Sequence, residues 1–457
     1  MATSTSIPTL TVSADCLLTG IDSTLEGELK NRLTIDNPKY LSAKKYGRWI
    51  GKSLKPKLKY YTTVPDQHGL RFPRGFSNQA VLLCRELSGL SPEIVDNRRM
   101  LPRVEFTFGG QLRDYQQEAL ELVCRRSFGV LEAGTGSGKT VMALAVIAAR
   151  KQPTLVVVHT KELLYQWQER AREFLGVDAG LIGDGKYQLA PLTIAIVNTA
   201  RKRAEELVEH FGQLVVDECH RVPATLFTDV VSKFDCHYLL GLSATAFRND
   251  DGLTRLIYYF MGDRIHKVDQ GELQATGAIV RPQLIRRTTQ FSYGYRGDYQ
   301  ALIKALIKHQ GRNMQITEDI CQVASEPDGG TVLVVSDRVS HCELLARLLG
   351  ERGVQVEVLT GQLGPERRAE IVAAVQGGKV QVLVATLQLI SEGFDCPGLS
   401  TLFLTTPITF EGRLLQVIGR IMRPAANKRA RVFDYVDEAV STLNRSANIR
   451  RAVFQNM

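Results

Sequence analysis

Eight residues, Ala133-Gly-Thr-Gly-Ser-Gly-Lys-Thr140, separate the apolar run Phe128-Gly-Val-Leu131 from the apolar, helix-forming stretch Val141-Met-Ala-Leu-Ala-Val-Ile147. A glycine-rich loop between a buried strand and a helix commits this part of the chain to an α/β unit and gives it a place to grip phosphate. Glycines let backbone N–H groups close around phosphate oxygens at the helix N-terminus, and the partial positive charge of that terminus favours an anion. Ala133, Gly134, Thr135, Gly136, Ser137 and Gly138 would line the cradle, Lys139 would meet the β- and γ-phosphates, and the Thr140 hydroxyl would ligate Mg²⁺. The first position is Ala133, so the phosphate-loop pattern is carried by its Gly138-Lys139-Thr140 half.

A second acidic signal lies downstream. Gln213-Leu-Val-Val216 is a β-branched apolar strand that runs into Asp217-Glu218-Cys219-His220. By itself an Asp-Glu pair reads equally well as a solvated turn. Beside a phosphate loop it reads as chemistry, with Asp217 holding Mg²⁺ and Glu218 deprotonating a water that attacks the γ-phosphate.

From Leu112 onward, short apolar strands alternate with helical stretches: 128–132, 154–158, 192–197, 213–217 and 238–242, then again 331–335, 354–359, 380–385, 399–404 and 430–434. Continuous apolar strands bounded by helices predict parallel sheets covered on both faces, hence two tandem α/β domains at 111–282 and 283–457, with residues 283–310 carrying the chain across. Only the first contains a phosphate loop, which predicts a nucleotide lying between the two domains with most of its binding residues from the first. Residues 1–110, with strands near 9–12, 58–62 and 69–72 and a helix near 79–87, read as a small α+β accessory domain.

The 457 residues carry a formal net charge of +9, which favours a nucleic-acid partner over an acidic small molecule or a bare membrane. Between Asp36 and Asp66 there is no acidic residue, while Lys44, Lys45, Arg48 and Trp49 sit in a run of lysines interleaved with Tyr40, Tyr46, Tyr60 and Tyr61. Cations that neutralise phosphates and rings that stack on bases would make a nucleic-acid surface; the alternative is a solvated basic face over a local aromatic core. The eight cysteines include no C-x-x-C pair and read as reduced thiols. No apolar run reaches the ~18 residues a membrane span needs, and the N-terminus lacks a signal-peptide pattern, so a cytoplasmic protein is expected. Near the other end, Gln416-Val-Ile-Gly-Arg420-Ile-Met-Arg423 places two arginines three apart on an expected helix, hence on one face.

In order, these motifs resemble the superfamily 2 helicases and translocases. The resemblance begins with Leu112-Arg113-Asp-Tyr115-Gln116 and continues through 133–140, Val158-His159-Thr160-Lys161, Asn198-Thr199-Ala200-Arg201, Asp217 to His220 and Ser243-Ala244-Thr245. The second half adds Ser336-Asp337-Arg338, Ala385-Thr386, Ser391-Glu392-Gly393-Phe394-Asp395 and Gln416 to Arg423. Gly241 to Asp250 is similar to the XPB, UvsW and RadD group, with Asn249 where XPB has Glu and with Cys219 in a box that usually reads Asp-Glu-Ala-His.

The resemblance implies two RecA-like domains and an ATP hydrolase that uses Mg²⁺ and moves along or remodels DNA in repair, recombination or defence. It implies that Arg113 and Gln116 recognise adenine, that Gln416, Arg420 and Arg423 complete the site from the second domain, and that Gly393 and Asp395 lie nearby. His220, Ser243 and Thr245 would couple nucleotide state to domain closure. Thr160, Arg201, Arg338 and Thr386 would contact strand phosphates. DNA, whether single-stranded, duplex or branched, is expected before RNA, with protein partners in a repair or defence complex. An ATP-gated clamp and the motor subunit of a restriction assembly remain as alternatives, although the chain carries no nuclease constellation.

Overall fold

The computed structural model describes residues 7–45, 47, 49–51, 53–221, 225–244, 252–327, 330–391, 396, 398–409, 411–424, 428–455 and 457. The chain forms two compact units, residues 1–133 with 138–267 and residues 134–137 with 268–457. Each contains one large, mostly parallel sheet.

The first unit's main sheet has eight strands in the order Lys186–Tyr187, Gly180–Gly183, Leu192–Ile196, Thr154–Val158, Gln213–Val216, Tyr238–Ser243, Phe128–Glu132 and Arg264–Lys267. All neighbours are parallel except the Lys186–Tyr187 edge. The central strands are buried along their whole length, as their unbroken apolar sequences require. The strand 128 loops into the helix Lys139–Arg150, whose Met142 to Ala148 are buried. At ~1.5–3 kcal/mol per large apolar side chain, this burial anchors the helix whose first turn faces the loop. Gly180–Gly183, Lys186–Tyr187 and Arg264–Lys267 were not among the sequence expectations. They are edge or near-edge strands of two to four residues, short or charged, so apolar continuity does not mark them.

The accessory elements belong to this same unit. A five-stranded sheet runs Thr62–Val64, Gly69–Pro73, Asp15–Thr19, Thr9–Val12, Glu93–Asp96, and Thr34–Asp36 pairs separately with Lys57–Lys59. The expected strand 58–62 is therefore two strands. Tyr60, between them, donates its N–H to Leu33 O at 2.9 Å and turns its ring onto Tyr259 and Phe260. The expected helix 79–87 is Ser77–Ser88.

One hydrophobic core continues from Leu10, Leu18 and Phe72 of the small sheet into Val130, Leu214 and Leu239 of the large one. Arg74, only 2% exposed, crosses that boundary and donates to Cys236 O at 2.7 Å. The Tyr259 hydroxyl donates to Arg32 O. Arg74→Met should therefore destabilise the first unit as a whole by about 1–3 kcal/mol, because a buried carbonyl loses its donor. A lowered unfolding midpoint of the first unit in thermal melts checks this; an unchanged midpoint would mean that the two sheets are not energetically joined.

The second unit's sheet is all parallel, in the order Gln283–Thr288, Arg431–Val436, Leu399–Leu404, Thr331–Ser336, Val382–Thr386, Val356–Leu359. The five expected strands are present. The segment 283–310 is corrected: it is not a crossing but an edge strand, Gln283–Thr288, followed by the helix Tyr299–Lys308. Arg286 and Arg287 interrupt its apolar pattern, which an edge position tolerates.

Behind this sheet the helix Val339–Gly350 buries His341. Asn313 donates Nδ2–H to Ile307 O, so its Oδ1 accepts from His341 Nε2 at 3.1 Å, and His341 Nδ1 accepts the Ser336 hydroxyl at 3.0 Å. A neutral imidazole satisfies both contacts. Burial, aided by the Arg312 charge, lowers its pKa from 6.5 to about 3. Below pH 6.5 the unfolded chain takes up a proton that the native chain refuses until about pH 3. Stability is therefore lost as the pH falls across that window, by up to ~1.4 kcal/mol per pH unit. His341→Gln should flatten the acid limb of the second unit's stability curve by one proton, measured by urea melts at stepped pH.

Candidate active site

The glycine loop takes its shape from backbone conformations that side chains resist. Gly136 and Gly138 sit at φ +88° and +81°, and a Cβ on residue 138 would come 2.5 Å from Gln116 Nε2. Ala133 donates its N–H to Ser243 O at 2.9 Å, tying the loop's entry to the end of the adjacent strand. Gly138 is the N-cap of the helix Lys139–Arg150, so that helix's first N–H groups open onto the loop. Lys139 Nζ donates to Ala133 O at 3.1 Å, which places the ammonium over the loop's mouth. Gln116 is buried and accepts from Arg113 N–H at 3.0 Å, while the Arg113 side chain is exposed. Of the pair expected to recognise adenine, Gln116 thus stands beside the loop and also fixes the start of the helix Asp114–Cys124.

At the end of the strand Gln213–Val216, the two carboxylates are held differently. Asp217 Oδ1 accepts from Glu218 N–H at 2.9 Å and Oδ2 from Trp167 Nε1–H at 2.8 Å. Glu218 adopts φ +51°, a left-handed conformation uncommon outside glycine and concentrated at functional sites. Its Oε2 lies 3.2 Å from His220 Nδ1, which is also 3.1 Å from Ser243 Oγ. Burial, then the charge of Glu218, raises the Asp217 pKa to about 6. Burial also opposes ionisation of Glu218, but the neighbouring His220 and the charges of Lys139 and His159 outweigh it and hold its carboxyl below the ordinary range. Cys219 is buried, its thiol pushed well above the ordinary range by that burial, and it fills space against Gly241.

This donor set fits the expected ligands. The Asp217 carboxylate and the Thr140 hydroxyl offer hard oxygens of the kind Mg²⁺ takes, and a left-handed glycine loop at a helix N-terminus suits phosphate. Two contributors escaped the sequence reading. Trp167, on the helix Lys161–Leu175, was readable only as one of two tryptophans in the chain, in register with buried Leu164, Ala171 and Leu175. Glu132, the residue before the loop, is buried and paired with Arg264 at 3.2 Å. A carboxylate closing an otherwise apolar strand was the available signal.

In the second unit the helix Glu411–Ile421 carries Gln416 and Arg420, and Arg420 Nε donates to Ile390 O at 3.0 Å. Arg423 is corrected: it lies two residues beyond the helix end, so the arginines are not on one helical face. Pro424 explains this, because proline disfavours helical geometry at the residue before it. Thr245, Gly393, Asp395 and the stretch Arg248 to Asp250 lie outside the described residues.

The expected strand contacts are dispersed. Thr160 caps the helix Lys161–Leu175, accepting from Leu163 N–H; Arg201 pairs with Asp229 at 3.2 Å; Arg338 Nη2 donates to Gln300 Oε1 at 2.5 Å; Thr386 ends its strand, partly buried. In the accessory region Trp49 is 89% exposed, and Lys39, Lys44, Lys55, Lys57 and Lys59 are exposed as well. Arg48 and the Lys45 side chain lie outside the described residues. Tyr60 belongs to the core, so the aromatic run divides between a solvent-facing Trp49 and an inward Tyr60.

Residues 109–248 match the family described as "Type III restriction enzyme, res subunit", and residues 314–425 match the "Helicase conserved C-terminal domain". The chain is 28% identical over 348 residues to "DNA 3'-5' translocase XPB2" of Sulfurisphaera tokodaii, covering 68% of this chain and 79% of the relative. The chain belongs to the superfamily 2 helicases and translocases. A second relative, "Probable helicase D10" of Escherichia phage T5, is 28% identical over 378 residues, 81% of each chain. Among solved structures, Dbp5 of S. cerevisiae bound to RNA and ADP BeF3 aligns with a TM-score of 0.55 at 16% identity, over 75% of this chain and 87% of that one, and speaks to fold alone. No helix among the described residues is long and apolar enough to cross a membrane.

Proposed function

We propose that this superfamily 2 protein is an ATP-dependent DNA helicase or translocase. Residues 1–110 serve as a DNA-binding accessory domain, 111–282 as the ATP-binding RecA-like domain and 283–457 as its partner domain. The observation that carries the reading is the glycine loop with Lys139 over it, together with the Asp217 and Glu218 carboxylates at the end of the strand Gln213–Val216, Glu218 lying 3.2 Å from His220 Nδ1 and His220 Nδ1 lying 3.1 Å from Ser243 Oγ. Glu218 orients and accepts a proton from the water that attacks the γ-phosphorus, as the bond to the β-phosphate oxygen breaks and ADP and phosphate leave. Lys139 and the loop N–H groups hold the phosphates in line. Mg²⁺, held by Thr140 and Asp217, would supply positive charge against the phosphate oxygens. The chain Glu218–His220–Ser243 gives hydrolysis a route to the end of the strand Tyr238–Ser243, and Arg420 and Arg423 are assigned to the charge that develops on the transferred phosphoryl group.

DNA is favoured by the XPB2 relative, although other relatives are named as RNA helicases. A motor subunit of a restriction or defence assembly is the second reading, favoured by the family matched at 109–248. The test is ATPase turnover of the purified chain with single-stranded DNA, duplex DNA, branched DNA and RNA. Stimulation by DNA is expected, and indifference to every nucleic acid would refute the motor. A chain stimulated only when a partner subunit is added would favour the second reading.

A further inference from the structure

Asp217 sits at the end of a buried strand, and each of its oxygens already has one fixed N–H donor: Glu218 N–H on Oδ1 at 2.9 Å and the indole of Trp167 on Oδ2 at 2.8 Å. A carboxylate offers about four acceptor directions, so two remain for a cation or its water. The two donors differ in kind. The Glu218 N–H belongs to the adjoining peptide and cannot be changed by substitution. The Trp167 indole comes from fifty residues earlier in the chain, from the helix Lys161–Leu175 that packs Leu164, Trp167, Ala171 and Leu175 into the core. Trp167 is 1% exposed, so its ring is locked by packing and the direction of its N–H is set before any ligand arrives. An indole donates and never accepts, so it can orient the carboxylate without competing for the metal.

We propose that Trp167 is a positioning residue for the divalent cation: its N–H holds the Asp217 carboxylate in the rotation that presents the remaining lone pairs to Mg²⁺. The inference rests on the reading that Asp217 carries the metal. Trp167 touches neither substrate nor cation; it acts through Asp217. A buried tryptophan also needs a partner for its N–H, so a packing role has to be separated from a positioning one.

Phenylalanine keeps an aromatic ring in the core and deletes the donor. In the full chain, Trp167→Phe should raise the Mg²⁺ concentration for half-maximal ATP turnover by about 10–100-fold, the usual cost of losing a partner that orients a metal ligand. At saturating Mg²⁺ the turnover should recover and the KM for ATP should stay native, a split that a loosened core would not produce. A second readout needs no turnover. Trp49→Phe leaves Trp167 as the chain's sole indole, and Mn²⁺ with ADP should quench it while ADP with EDTA should not.

A native Mg²⁺ dependence in folded Trp167→Phe overturns the proposal. Should that variant fail to fold, absence of Mn²⁺ quenching in Trp49→Phe overturns it instead. Should the native chain not hydrolyse ATP at all, the functional reading falls, and absence of Mn²⁺ quenching in Trp49→Phe would then overturn the proposal for Trp167 as well.

Discussion

Glu218→Gln should lower ATP turnover by about 10²–10⁴-fold while leaving nucleotide binding in place. Glutamine keeps the length of the side chain and so leaves an oxygen or nitrogen beside His220 Nδ1, 3.2 Å from the carboxylate in the native chain, and the shape of the site survives. What disappears is the negative charge that His220, Lys139 and His159 stabilise. A neutral amide cannot take the proton of the attacking water. Single-turnover phosphate release should collapse, whereas binding of a fluorescent ATP analogue should stay within a few-fold of native. Loss of binding together with turnover would instead mean that the charge of Glu218 shapes the loop.

Arg420→Ala should have an effect of the same order or larger, about 10³–10⁵ in turnover, the range for an arginine that meets charge developing on a transferred phosphoryl group. Arg420→Lys should not rescue it, because an ammonium lacks the planar fork of donors. Arg420 is held at its base by Nε donating to Ile390 O at 3.0 Å, so its removal also frees a carbonyl beside the helix Leu387–Ser391. Measuring the ATP dissociation constant alongside turnover separates the two effects: a catalytic arginine changes rate with little change in affinity. An Arg420→Ala protein with native turnover would remove the second domain from the chemistry. Arg423→Ala gives a useful contrast. Since Arg423 lies past the helix end, before Pro424, its loss should act independently of Arg420 and not as half of a helical pair.

The parts of the fold legible in the sequence were those where one physical demand dominates. Strands such as Thr154–Val158 and Thr331–Ser336 are buried on both faces and had to be unbroken apolar runs. Edge strands face a weaker demand, and Arg264–Lys267 and Gln283–Thr288 carry charges that hide them. The left-handed glycine loop at a helix N-terminus and the two acids at a strand end were legible as structure because glycine, lysine and paired acids in that order have few other uses. The contact of Trp167 with Asp217 was not, since fifty residues separate them and only the packing of a helix on the sheet brings them together. The aromatic run in the accessory region was half legible: composition grouped Trp49 with Tyr60, and only tertiary packing shows one facing solvent and the other facing Tyr259. The end of the helix at Ile421 was present in the sequence as Pro424, and the i,i+3 spacing of the arginines obscured it.

Movement along DNA is the claim on which the functional account turns, and displacement of a labelled triplex-forming strand from a duplex measures it directly. The native chain with ATP should strip the third strand, and Glu218→Gln with ATP should leave it in place although both proteins bind the duplex. If the native chain hydrolyses ATP in response to DNA yet never displaces the strand, it is a nucleotide-gated clamp and not a motor.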